Sequence, residues 1–203
     1  MVGLLCLCVA GLCGGCHTQP IPIPSPQNGG NRAPAPITGV LPKGRARFTF
    51  ADAQVRLPER LEDMEAMGFA LSDNQRRRLM ETELEPGGVS EPFMLEKGGE
   101  LIVARLYNAS STARSALEGV VAAISFTGGG KGEADVGVGS TEEEIIQAYG
   151  EMDEGRLTER GYWMQYGTWL YEGFGFEIDG ESRRVIRIAS FYIPFWQVRE
   201  GEE

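Results

Sequence analysis

Val136-Gly137-Val138-Gly139-Ser140-Thr141-Glu142-Glu143-Glu144-Ile145-Ile146-Gln147-Ala148-Tyr149-Gly150 is the stretch whose reading decides the fold. It predicts a short helix entered from a glycine-rich turn. Ser140 is the expected N-cap, and Glu143 three residues later would close a capping box. Glutamates in the first turn suit the positive end of a helix dipole. Ile145, Ala148 and Tyr149 form one apolar stripe, and Gly150 ends the helix. Helix-start chemistry accounts for the glutamate cluster, so no metal site is expected from it.

Outward from this helix the pattern turns to strands. After a polar loop, strands are expected at Tyr162–Tyr166, Trp169–Ile178 and Val185–Ile193, with Asp179-Gly180 as a hairpin turn. Pro194 interrupts the last one, and Phe195-Trp196 follows. Upstream, Arg45–Leu57 reads as one partly alternating strand, carrying Phe48, Phe50, Val55 and Leu57. Pro58 then opens a helix over Glu59–Met67, with Leu61, Met64 and Met67 on one stripe and Gly68 as its stop. Asp73–Glu83 is a weaker helix whose Arg76-Arg77-Arg78 reads as a solvated face. Gly98-Gly99 joins Phe93–Leu95 to Glu100–Asn108 as a hairpin, and Leu117–Phe126 is a further strand. Asn108-Ala109-Ser110 matches a glycosylation acceptor in form only. The expected class is α+β: antiparallel sheet with short helices on one face, as one unit or as two small α/β subunits.

Residues 45–198 form the expected α+β domain, with halves 45–127 and 133–198, followed by an acidic tail at 199–203. Residues 16–44 read as a tether. Most of the eleven prolines lie there (Pro20, Pro22, Pro24, Pro26, Pro34, Pro36, Pro42), which favours extended backbone. Residues 1–15 read as a signal peptide. Their apolar run, Val2–Cys13, would span about 18 Å as a helix, short of the roughly 30 Å hydrocarbon core. Gly14-Gly15-Cys16 follows it and resembles the lipobox of bacterial lipoproteins. That resemblance makes Cys16 the lipidated (diacylglyceryl- and palmitate-bearing) first residue of the mature chain, held at the extracytoplasmic face of the cell membrane. An ordinary signal peptide cut nearby, or a buried apolar helix, is the alternative.

Composition removes several chemistries. All four cysteines (Cys6, Cys8, Cys13, Cys16) and the single histidine, His17, precede the domain. A Ser-His-Asp triad, a Cys-His pair and a His- or Cys-ligated zinc therefore have no residues to use there. The net charge of −10 argues against nucleic acid. Gly128-Gly129-Gly130-Lys131-Gly132 departs from a phosphate loop at Ser125 and Gly132 and reads as a flexible connection. No cofactor is expected. Aromatics concentrate between 162 and 196, and Trp163, Trp169 and Tyr171 share one strand parity, opposite to Phe174 and Phe176. These three are the candidate binding surface, with burial on both faces as the alternative.

Gly139-Ser140, Glu143 to Gly150, Phe176 and Val185-Ile186-Arg187-Ile188 together resemble a repeat of small helix-plus-antiparallel-sheet modules. Such modules occur in beta-lactamase inhibitor protein-like domains and in outer-membrane assembly lipoproteins of the SmpA/OmlA type. The likeness covers about 137–190 and departs at Met152, where proline is usual. The layout as a whole also resembles a broad set of lipoproteins of Gram-positive bacteria. These resemblances imply a non-enzymatic envelope protein that binds another envelope or extracellular protein. The rival expectation from another class is a cell-wall or carbohydrate-active enzyme using two close, buried carboxylates. A third is a purely structural envelope component without an exposed apolar patch.

Overall fold

The computed structural model describes residues 47–132, 135–168 and 172–192. Cys16, Trp169 and Tyr171 lie outside the described residues, as do the signal segment, the tether and the acidic tail. In chain order the elements are β1 (Phe48–Phe50), β2 (Ala53–Val55), β3 (Glu59–Arg60), α1 (Leu61–Ala66), α2 (Asp73–Glu81), β4 (Glu83–Leu84) and β5 (Phe93–Lys97). Then come β6 (Glu100–Tyr107), β7 (Arg114–Ser115), a 3₁₀ turn (Ala116–Glu118), β8 (Val120–Phe126), β9 (Gly130–Lys131) and α3 (Glu142–Tyr149). Four strands close the chain: β10 (Glu154–Leu157), β11 (Gly161–Thr168), β12 (Glu172–Asp179) and β13 (Val185–Tyr192).

The architecture is α+β. The main antiparallel sheet runs β10-β11-β12-β13-β8-β6-β5, with β3 also pairing β8. Strands from both halves of the sequence thus share one sheet, joined where Ile188 of β13 lies opposite Phe126 of β8. A smaller sheet, β2-β1-β9, and a two-stranded pair, β4-β7, accompany it.

The register divides the main sheet into two faces. One row crosses it as Ile102, Phe126, Ile188, Phe176 and Met164, all buried. The next is Ala104, Ile124, Ser190, Phe174 and Tyr166. Side chains alternate across a pleated strand, so these rows define the core face. The described helices pack on this face: Leu61 and Met64 of α1, Leu79 of α2 and Ile145 of α3 join the same apolar cluster. Phe48 and Phe50 of β1 reach it too, with ring centroids 5.6 and 4.7 Å from that of Phe126.

Three local expectations need correction. The α3 cap is Thr141, not Ser140: its hydroxyl accepts from the Glu144 N–H, and the Glu144 carboxylate accepts from the Thr141 N–H at 2.9 Å. The Ser140 hydroxyl is already engaged, accepting from the Gly137 N–H at 3.1 Å to close the preceding turn. Arg45–Leu57 is not one strand. Ala51 adopts a φ of 52°, which folds the chain into the β1–β2 hairpin with Phe48 opposite Val55. Finally, Pro58 does not open the helix. Glu59 and Arg60 first pair with β8, and α1 begins at Leu61.

Gly128–Gly132 is in part a strand. Gly130 and Lys131 pair with β1, and a side chain at 130 would lie 2.4 Å from Phe50 Cε1 and 2.6 Å from Phe126 Cε2. Glycine is required there because two aromatic rings close over it.

Candidate functional site

The aromatic-rich second half sorts by strand parity. Tyr166, Phe174 and Phe176 face the core, where Tyr149 of α3 meets them at centroid distances of 5.6, 5.1 and 5.4 Å. The Tyr166 hydroxyl donates to the Gly150 carbonyl at 3.0 Å, tying the end of α3 to the sheet. Burial raises its pKa to about 12, with Glu151 and Asp153 nearby adding to the rise. Tyr162 also lies on this side, under the Arg183 guanidinium at 5.2 Å. Its pKa is likewise pushed to about 12, mainly by burial and then by Glu142. These aromatics build structure.

Trp163 faces the other way. It sits opposite Glu177, which sits opposite Arg187. The Arg187 guanidinium lies 5.1 Å from the indole centroid, and its Nε is 2.9 Å from Glu177 Oε2. A cation over an indole face and a buried carboxylate hold each other in place. Trp163 itself is half-buried. Of the three residues picked from parity, the described structure therefore places Trp163 on the outer face.

The outer face continues across the sheet. Val103, Ser125, Ala189, Gly175 and Gln165 form one row; Arg105, Ala123, Phe191, Gly173 and Gly167 form the next. At its β5–β6 end this face is apolar and open: Met94 is 47% exposed, Leu101 54% and Val103 37%. Met94 and Val103 are direct cross-strand partners, and Leu101 follows two residues along β6, so the three are contiguous. Sequence reading missed this strip. The signal was present in Leu101-Ile102-Val103-Ala104, where both parities are apolar and so both faces had to be sticky.

A cleft of about 430 Å³ lies at the other end of β6, lined by Arg60, Glu62, Glu65, Arg76, Tyr107 and Asn108 among others. Its charges cancel in pairs: Arg60 with Glu62 at 3.0 Å, Arg114 with Glu118 at 3.9 Å, and Arg76 with Glu65. Asn108 is buried and fully engaged, donating to the Leu84 and Thr112 carbonyls at 2.8 Å each and accepting from the Ser110 N–H at 2.9 Å. It fixes the loop leading to β7, and the acceptor-like Asn108-Ala109-Ser110 is loop architecture. Among the described residues no three His, Cys, Asp or Glu side chains converge as a metal site. Among them the buried carboxylate is Glu177, and it is committed to Arg187.

Comparison of the chain with protein-family models, curated proteins and solved structures finds no match.

Proposed function

We propose that this protein is a membrane-anchored, extracytoplasmic lipoprotein whose domain binds another envelope or extracellular protein through the outer face of its main sheet. The observation that carries the reading is the open apolar strip Met94, Leu101 and Val103 on a sheet whose described helices sit on the opposite face. Contiguous exposed apolar side chains on a soluble domain mark contact surfaces more often than scattered ones do. A structural filler would have no need of such a strip. Two sequence features support the address: the apolar run ending at Gly14-Gly15-Cys16, and the proline-rich stretch that would lift the domain off the lipid.

Both parts are testable. Changing Cys16 to Ser should release the protein from the membrane fraction and abolish incorporation of labelled palmitate; continued membrane retention sinks the anchor. For the surface, the domain should retain a protein from envelope extract, and Leu101→Lys with Val103→Lys should abolish that retention. Retention of nothing, or equal retention by the charged variant, removes the binding reading.

A further inference from the structure

The two ends of the main sheet are finished differently. At β5 the outer edge is closed. Ala70 and Glu96 exchange backbone hydrogen bonds at 2.7 and 2.9 Å, and the Met94 N–H donates to the Gln75 side-chain oxygen at 3.3 Å. At the opposite end, among the described residues, β10 pairs β11 alone. Every residue of β10 is exposed, Leu157 to 86%. The Thr158 N–H donates to the Gly161 carbonyl at 2.9 Å, so position 158 opposite 161 is a hydrogen-bonded pair. Antiparallel ladders alternate, which makes 156 with 163 and 154 with 165 the next such pairs. The peptide groups of Gly155 and Leu157 therefore point away from β11. An open row of backbone donors and acceptors is a template for another strand.

We propose that β10 pairs antiparallel with β10 of a second copy, about a two-fold axis at Gly155. Read antiparallel, Glu154-Gly155-Arg156 is its own complement. Gly155 opposite Gly155 lets the two glycines exchange N–H···O=C bonds. The same register sets Glu154 of each copy opposite Arg156 of the other. Those are non-hydrogen-bonded pairs, whose side chains stand closest, with Cα atoms about 4.5 Å apart. Neither Glu154 nor Arg156 has an ion partner among the described residues. The two neighbouring registers that keep the outward peptide groups paired place Arg156 against Arg156 or Glu154 against Glu154, and like charges directly opposite are unfavourable. On the other side of the strand, Leu157 of each copy becomes the diagonal neighbour of Gly155 of the other. Met152 already lies there: its Cε is 3.2 Å from where a Cβ at 155 would stand. Leu157 and Met152, the latter 40% exposed, would cover each other. The Asp153 carboxylate does not oppose the contact, because it accepts from the Gly167 N–H at 2.6 Å.

The test uses the full chain with Cys6, Cys8, Cys13 and Cys16 changed to Ser. In that background, Glu154→Cys and Arg156→Cys proteins are oxidised separately and as an equal mixture. The mixture should form disulfide-linked dimers about tenfold faster than either protein alone, because unlike positions face each other and like positions are diagonal, about 7–8 Å apart. Equal rates, or no cross-linking, overturn the proposal. Sedimentation velocity at rising concentration checks the charges. Arg156→Glu or Glu154→Arg alone should weaken self-association about tenfold, and the two together should restore it, since each arginine again faces a glutamate. A parent protein that stays monomeric at every concentration, or a charge-swapped protein that does not recover, overturns the proposal. Leu101→Lys with Val103→Lys, at the far end of the sheet, should leave both readouts unchanged. Self-association lost in that variant would put the contact on the apolar strip and overturn the β10 pairing. Retention of an envelope protein is read separately, so the two ideas fail separately.

Discussion

Two tyrosines set how this protein meets alkali. Tyr162 and Tyr166 have their pKa values raised from 10.0 to about 12, mostly by burial. A raised phenol pKa means the folded state holds its proton after the unfolded chain has released it. Their contribution is therefore complete below pH 10 and is lost progressively between about 10 and 12. The urea midpoint should be flat from neutral pH to about 10 and fall beyond it, and Tyr166→Phe should flatten part of that fall. At Gly130 the constraint is spatial. Gly130→Ala drives a methyl into Phe50 and Phe126, and the expected loss is about 1–3 kcal/mol by chemical denaturation. No pattern in Gly128–Gly132 announces this, since the rings that close over Gly130 come from positions 50 and 126.

At the scale of elements, legibility followed locality. The α3 helix was readable because its start, stripe and stop lie within fifteen consecutive residues. The cap was misplaced by one because Ser140 and Thr141 have the same chemistry; the choice was made by Gly137, whose N–H the serine hydroxyl accepts. Thr141→Ala should therefore cost about 1 kcal/mol in thermal or urea unfolding. It should also lower helical protection in hydrogen exchange over Glu142–Tyr149. Gly98-Gly99 marked the β5–β6 hairpin correctly, with Lys97 opposite Glu100. The β1–β2 hairpin was hard to read because Ala51 carries no turn signal; the one hint was the change of parity between Phe48 and Phe50 on one side and Val55 and Leu57 on the other. Its placement comes from distant residues: Phe48 and Phe50 pack on Phe126 of β8, and Lys97 pairs with Asp52 at 2.8 Å. The outer-face parity of Trp163 was legible. What it faces was not, because Glu177 and Arg187 come from two other strands.

For the whole molecule, the β8–β13 seam matters most. Two halves that look separable in sequence are hydrogen-bonded into one sheet and share one core. They should unfold together. Phe176→Ala, in the second half, should cost about 3–5 kcal/mol. It should also lower amide protection in β6, in the first half, by a comparable amount. Protection lost only between β11 and β13 would show the halves to be independent. The sequence carried the class, α+β with helices on one face, because strand alternation and helix stripes are local. It did not carry the join, because β8 and β13 meet across about sixty residues and no single turn connects them.

β1 gives the molecule a weak point under load. It is the first described strand, and its hold on β9 is two residue pairs, Thr49 with Lys131 and Phe50 with Gly130. If the chain is moored at Cys16 and its partner pulls on the sheet, tension enters at Phe48. The β1–β2 hairpin would peel away strand by strand, while the long β11–β12–β13 ladder stayed closed. Stretching a surface-tethered domain should then show a short, low-force extension before the main rupture. The domain would be sprung at its mooring end and stiff where it is gripped.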